Sequence, residues 1–230
     1  RVQLLDNGTF NRPGYTLRYW GTETSGGTLY EPAGWARVNK DGLLQVSDSN
    51  HLYAVWEANT DTKYTVEFYY EQTSGGYTLD HREVRSDGTT DQKISIKETD
   101  KTPKDTSYIF DESNKENVLF GIVTADGQLV LKVYFKLNTV KYHVFHYLKG
   151  TTVPVANGSF GVGTIGNTVS AKPLTSGFFP DFENATADSY LPANNSITLV
   201  PDENNQKRNT IIVYYTVPLT LTAQDASKPY

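Results

Sequence analysis

There is no cysteine anywhere in the 230 residues. That excludes disulfides, thiolate metal sites and a cysteine nucleophile. A chain of this kind working outside a cell must be held by packing, by a bound ion or by another crosslink. Apolar residues are scarce, at 37%, and no run approaches the ~18 residues of a membrane-spanning helix. No signal peptide is read at Arg1, so the targeting segment of an exported parent is expected to lie outside this sequence. Basic charge is short as well, with 21 Lys+Arg against 26 Asp+Glu. Nucleic-acid binding needs a basic face that displaces counterions, and the longest basic stretch, Lys207-Arg208, provides none. Helical patterning is poor. Residues 102–107 and 182–188 suit a short turn, but neither carries an apolar stripe beyond a turn or two.

What the chain does have is aromatic residues, at 13%, with 16 tyrosines. Aromatic and β-branched residues suit pleated, half-buried surfaces, and tyrosine can bury its ring while its hydroxyl reaches water. An internal repeat runs through the chain. Lys63-Tyr64-Thr65-Val66 returns as Lys141-Tyr142-His143-Val144, an offset of 78 (141 − 63). Ile94 and Ile96-Lys97 return as Val169 and Ala171-Lys172, Ser107-Tyr108 as Ser189-Tyr190, and Val133-Tyr134-Phe135 as Val213-Tyr214-Tyr215. The order is kept and the offset drifts little, as for two copies of one module with loop changes. In the first copy Tyr64, Val66, Phe68 and Tyr70 alternate with Thr65, Glu67 and Tyr69; near its end Leu131, Val133 and Phe135 alternate with Lys132, Tyr134 and Lys136. Period 2 places the first set of each on an inner face. Turn clusters such as Ser74-Gly75-Gly76, Asp87-Gly88 and Asp126-Gly127 separate the strands. The divisions expected are 1–57, which holds all three tryptophans, then modules at 58–137 and 138–217, and a tail at 218–230.

Residues 1–57 resemble the Listeria–Bacteroides repeat of internalins through Gly14-Tyr15-Thr16, Trp20, Gly26-Gly27 with Tyr30, and the closing Leu52-Tyr53-Ala54-Val55-Trp56. Residues 63–137 and 141–217 resemble mucin-binding-protein (MucBP-type) modules. The resemblance lies in an opening Tyr-x-Val strand, a middle Gly-x-x-Gly-x-x-Val segment, for which the first copy has Gly88-Thr89-Thr90-Asp91-Gln92-Lys93-Ile94 with one Gly lost, and a closing Val-Tyr-Tyr strand. The second copy carries these as Gly163-Thr164-Ile165-Gly166-Asn167-Thr168-Val169 and Val213-Tyr214-Tyr215. The tail is similar to the start of a further adhesin-type repeat. The resemblance implies a mainly β chain of small α+β modules: tandem β-grasp, ubiquitin-like domains in an elongated array. It also implies a Gram-positive bacterial surface or cell-wall protein, secreted, with a mucin-type glycoprotein or glycan as partner. The alternative is a stalk that only spaces a distal domain from the wall.

Candidate chemistry is sparse. His143 and His146 are three apart on a strand, so they face opposite ways and cannot share an ion as a helical i, i+4 pair could. No Gly-x-Ser-x-Gly elbow is present, and the paired carboxylates Asp111-Glu112 and Asp202-Glu203 read as solvated turn residues. The chain is therefore expected to be non-enzymatic. Hard oxygen ligands in the loops 181–188 and 202–205 make a candidate calcium set, though without regular spacing. No buried Lys suited to an isopeptide crosslink is found. The candidate ligand-binding residues are Trp35, in a loop-like stretch, and the outward tyrosines Tyr69, Tyr134 and Tyr214, as platforms for sugar stacking. Trp20 and Trp56 read as core. The chain is expected to be a monomer, without metal or membrane insertion, and the 1–57 segment is expected to lean on the module that begins at Tyr64.

Overall fold

The computed structural model describes residues 1–46, 50–203 and 207–219; the tail beyond Leu219 lies outside them. The first segment contains β1 (Val2–Gln3), β2 (Tyr15–Gly21), β3 (Leu29–Tyr30), β4 (Trp35–Ala36) and β5 (Tyr53–Ala58). Strand β2 is central, antiparallel to both β3 and β5, while β1 pairs with β4. Leu17, Trp20, Ala36 and Leu44 are buried. Phe10 lies 5.1 Å from the Trp20 ring and 5.7 Å from Trp56, and the Trp20 indole N–H donates to the Leu5 carbonyl at 2.9 Å. A buried indole needs such an acceptor.

The first repeat contains β6 (Thr62–Glu71), β7 (Tyr77–Gly88), β8 (Lys93–Ser95), β9 (Tyr108–Phe110), β10 (Phe120–Ile122) and β11 (Val130–Leu137). The second contains β12 (Thr139–Leu148), β13 (Ser159–Thr164), β14 (Thr168–Ser170), β15 (Thr186–Leu191), β16 (Ser196–Thr198) and β17 (Thr210–Thr216). Each forms a four-stranded sheet, ordered β7-β6-β11-β9 and β13-β12-β17-β15, and a separate two-stranded ladder, β8 with β10 and β14 with β16. The central pair of each large sheet is parallel. Val66 faces Leu131 in the first, and Val144 faces Ile211 in the second. These pairs are offset by 78 (144 − 66) and 80 (211 − 131), the offsets of the repeated motifs, so the two copies share one register. The inner face is the alternating set. Tyr64, Val66, Phe68, Leu131, Val133 and Phe135 are buried in one copy; Val144, Ile211, Val213 and Tyr215 are buried in the other.

The α+β expectation, and with it the β-grasp assignment, is overturned. Among the described residues there is no α-helix, only two 3₁₀ turns at Glu98–Lys101 and Pro180–Phe182. A parallel pair needs a long crossover, usually a helix. Here the crossover is irregular chain and a two-stranded ladder. The residues explain why. Ile94 and Ile96 are spaced for a strand, and Pro103 follows; in the second copy Pro173, Gly177 and Pro180 interrupt the same stretch.

A buried ion pair fixes the first crossover. Arg85 on β7 meets Asp100 in a fork, Nη1 to Oδ2 at 2.8 Å and Nη2 to Oδ1 at 2.7 Å, and the Lys97 backbone N–H also donates to Asp100 at 2.7 Å. Burial alone would raise the Asp100 carboxyl; the bonds from Arg85 and Lys97 outweigh it and hold the group below its ordinary value. In the second copy the aromatic pair Phe68–Phe135, whose centroids are 6.4 Å apart, is replaced by His146 and Tyr215. The Leu174 N–H donates to the Tyr215 hydroxyl at 2.8 Å, and that hydroxyl lies 3.0 Å from His146 Nδ1. Burial lowers the His146 pKa.

By spatial clustering the chain divides into two compact units. One is Arg1–Tyr70 with Tyr77–Thr102 and Phe110–Phe135; the other is Glu71–Gly76, Pro103–Ile109 and the residues from Lys136 onward. Each unit contains a junction asparagine. In the first, the Asn59 N–H donates to the Gly14 carbonyl at 2.9 Å, the Asn59 carbonyl accepts from the Thr90 N–H at 3.0 Å, and Thr16 Oγ1 donates to Asn59 Oδ1 at 2.8 Å. In the second, the Asn138 N–H donates to the Ser107 carbonyl at 2.7 Å and its carbonyl accepts from the Ile165 N–H at 2.9 Å.

Two expectations follow from this packing. Gly14 has a φ of +76°, and a Cβ there would lie 2.7 Å from the Ala125 Cβ and 2.9 Å from its Cα. Gly14→Ala should therefore loosen the 1–58 segment by about 1–3 kcal/mol. All three tryptophans lie in that segment, so the fluorescence midpoint in denaturant should fall further than the circular-dichroism midpoint. Equal shifts would mean that the segment and the first repeat unfold as one block. The second expectation concerns pH. An unfolded histidine titrates near ~6.5, and folded His146 lies lower. Its contribution is thus fully present above ~6.5 and is lost as pH falls through the folded pKa. Amide protection in β12 and β17 should drop between pH 7.5 and 5. The double variant His146→Phe/Tyr215→Phe, which copies Phe68 and Phe135, should flatten that slope.

Candidate functional site

The outward residues of the two large sheets carry most of the aromatic candidates. On the first sheet Glu67 on β6 meets Arg82 on β7 on the outward side, while on the inner side Tyr64 lies beside Arg85. Arg82 Nε donates to Glu67 Oε1 at 2.6 Å, and the Tyr69 hydroxyl donates to Glu67 Oε2 at 2.7 Å. The Tyr69 ring stacks on Tyr134 with centroids 4.6 Å apart and planes within 7°. Tyr77 meets Tyr134 edge-on at 5.2 Å and donates its hydroxyl to Asp111 Oδ2 at 2.7 Å. The hydrogen bond from Tyr69, and then that from Arg82, lowers the Glu67 pKa; the same bond pushes the Tyr69 phenol up to about 12.

This face is closed. Tyr134 is only 7% exposed, with one ring face covered by Tyr69, and the Tyr69 hydroxyl is already bound to a carboxylate. Neither residue is a free stacking platform, although both are on the side that alternation assigns to them. Trp35 is 59% exposed and stands on β4 opposite Gln3, in a short strand rather than a loop.

The second sheet replaces the arginine of each pair with a glycine. The Glu67–Arg82 pair becomes Phe145–Gly158, and Tyr64–Arg85 becomes Tyr142–Gly161, with β6 and β7 residues offset by 78 (145 − 67) and 76 (158 − 82). A Cβ at Gly158 would lie 2.9 Å from the Phe145 ring, and one at Gly161 would collide with the Tyr142 ring. Each ring lies over a glycine that leaves it room. Lys132 gives way to Ile212, opposite Phe145 in the ladder.

The outcome is a row of rings along β12. His143, Phe145 and Tyr147 have parallel planes, with centroids 5.9 and 5.8 Å apart. Tyr214 is opposite Tyr147 in the ladder, and Lys207 Nζ lies 5.5 Å from the Phe145 ring. All four ring-bearing side chains are half-buried. His143 Nε2 is buried and without a hydrogen-bond partner. Sequence reasoning named Tyr214 and missed this row. The signal was present in the alternation of residues 143, 145 and 147, at the positions of Thr65, Glu67 and Tyr69. No known family model matches the chain, and no curated protein matches it.

The candidate calcium loops offer less. Asp188 is paired with Lys149 at 2.8 Å. Asp202 accepts from the Arg208 N–H at 3.3 Å, and Asn204 and Asn205 lie outside the described residues. Among the described residues, no group of three or more His, Asp or Glu side chains is arranged to hold a metal ion.

The bond between Tyr69 and Glu67 has a direct readout. The Tyr69 phenol should titrate at about 12, followed by site-resolved tyrosine NMR. Glu67→Gln removes the acceptor charge and should bring it back towards the ordinary ~10. An unchanged titration would show that the bond does not hold in solution.

Proposed function

We propose that the chain is a non-enzymatic segment of an extracellular, bacterial cell-surface adhesin. Its contact surface for a glycan or mucin-type glycoprotein is the outer face of the second repeat, centred on His143, Phe145, Tyr147 and Tyr214. One observation carries this reading. The same face of two copies of one module is closed in the first by the Glu67–Arg82 ion pair and the Tyr69–Tyr134 stack, and in the second carries a row of rings with Phe145 over Gly158. The core has no need of that exchange, because Phe145 points away from Val144, Ile211 and Val213. Aromatic rings with a polar edge suit sugar C–H faces and leave hydroxyls for solvent or for His143. The resemblance of both repeats to mucin-binding modules supports the partner class. A single face of this size binds weakly, and display of several copies would raise avidity through effective concentration.

A second reading is a spacer. It is supported by the two junction asparagines, whose backbone groups are both engaged and which leave Asn138 as the single residue between β11 and β12.

Retention on a mucin-coated surface, and binding to a glycan array at millimolar sugar, separate the two readings. The wild-type chain should be retained. Phe145→Ala and Tyr147→Ala should each weaken retention about tenfold, on the order of 1–2 kcal/mol for one lost ring contact. Tyr69→Phe should leave it unchanged. A wild-type chain that fails to bind removes the adhesive reading and leaves the spacer.

A further inference from the structure

We infer that β13 is a self-association edge, through which two copies of this chain pair antiparallel about a two-fold axis and extend the second sheet. This does not rest on the glycan reading.

A sheet edge presents unpaired N–H and C=O groups, and proteins blunt such edges with charge, bulges or brevity. The two large sheets have four edges, and three of them are blunted. Strand β7 carries Asp80, Arg82, Glu83, Arg85 and Asp87. Strand β9 is three residues long. Strand β15 is broken by a bulge between Ala187 and Ser189 and carries Asp188, ion-paired to Lys149. Strand β13 has none of these devices. It is six residues long, Ser-Phe-Gly-Val-Gly-Thr, and among the described strands it pairs only with β12. No charged residue occurs from 150 to 171, in a chain that is 20% charged. Its outward side chains are among the more exposed apolar groups, Phe160 at 68% and Val162 at 59%.

The occupant that fits is a second copy, because the strand is complementary to itself. Opposed residues of an antiparallel pair share a face. With the two-fold axis at Gly161, Gly161 meets its own symmetry mate, Phe160 meets Val162 of the other copy, and Ser159 meets Gly163. Both outer-face contacts are then aromatic against β-branched, a favourable cross-strand pair. The inner-face positions are small, so a second strand is not held off. Gly161 and Gly163 are already required by this chain's own packing, since a Cβ at 161 would strike Tyr142 and one at 163 would lie 2.6 Å from Leu199. An uncharged strand also brings no like charges together across the axis, as β7 would. A self-complementary patch of this kind closes as an isologous dimer instead of growing into a filament. A single strand pair is small for an interface, so the dimer is reversible, with a Kd on the order of 100 µM. The chain is then a monomer only when dilute.

Sedimentation velocity on the whole chain without sugar, from about 5 to 500 µM to bracket that Kd, is the test. The weight-average mass should climb towards twice the monomer value. Val162→Lys, and separately Phe160→Lys, should hold the chain monomeric throughout with an unchanged circular-dichroism spectrum; the two positions are exposed, so one serves if the other disturbs folding. Val84→Lys, on the charged edge β7, should dimerise as the wild type does. A wild-type chain that stays monomeric at the highest concentration overturns the inference, as does a folded lysine variant of β13 that associates as strongly as the wild type.

Discussion

Two parallel strands can be joined only by a chain that leaves one end of the sheet and returns to the other. Both repeats place such a pair at the centre of a four-stranded sheet, and the rest of each module follows from that connection. The inner faces of β6 and β11, or of β12 and β17, are rows of large apolar side chains that something must cover. A helix would cover them in one piece. These crossovers carry too many prolines, glycines and strand-spaced isoleucines for that, so the cover is assembled from parts: a two-stranded ladder, a 3₁₀ turn and loop side chains. In the first repeat the turn is fastened by Arg85 and Asp100. In the second, Phe178 packs edge-on against Tyr215 at 5.2 Å, and the Leu174 N–H is bound to the same hydroxyl. One copy fastens its cover with buried charge and the other with a buried phenol.

Two of the differences between the copies are paired across strands. Glu67 and Arg82 change together to Phe145 and Gly158; Tyr64 keeps its place as Tyr142 while Arg85 changes to Gly161; Phe68 and Phe135 change together to His146 and Tyr215. The change of Glu67 together with Arg82 avoids a lone buried charge, which would be more costly than the exchange itself. A consequence is the loss of charge from β13. The glycines that make room for Phe145 and Tyr142 occupy the positions at which β7 carries its arginines. The aromatic face and the uncharged edge of the second repeat thus share an origin, the replacement of the β7 arginines by glycines that leave room for rings.

Much of this was legible in the residues. Period-2 alternation placed Tyr64, Val66, Phe68, Leu131 and Val133 inward, and the repeat offsets fixed a register that the two parallel ladders share. What alternation cannot give is the neighbour on the same face. Tyr134 does point outward, yet Tyr69 stacks on it and Tyr77 abuts it, and residue 77 is separated from 134 by most of the module. The helix was an inference from family resemblance, not from the residues, whose crossovers showed no apolar stripe. The row His143, Phe145 and Tyr147 went unread because the first copy has Thr65 and Glu67 there, and a motif common to both copies hides the positions at which they part.

The junction asparagines show the same limit from the other side. Asn59 and Asn138 are offset by 79 (138 − 59), and their backbone partners on the following module, Thr90 and Ile165, by 75 (165 − 90), in step with the repeat. Each gives its N–H to chain that precedes the module and takes an N–H from within it. Asn138-Thr139 reads as a boundary in the sequence, but nothing there shows that the backbone is bonded, since an asparagine in a linker is commonplace. A residue whose backbone donor and acceptor are both spent has little freedom in φ and ψ, because turning either peptide plane would orphan a polar group at a cost of about 1–3 kcal/mol. The side chain adds a further tie: Asn59 accepts from Thr16, and the Asn138 amide reaches the Thr106 carbonyl at 3.4 Å. Asparagine suits this post because one small residue offers an acceptor and a donor beyond its own backbone. Asn138, the one residue between β11 and β12, is thus bonded through its N–H, its carbonyl and its side chain at once.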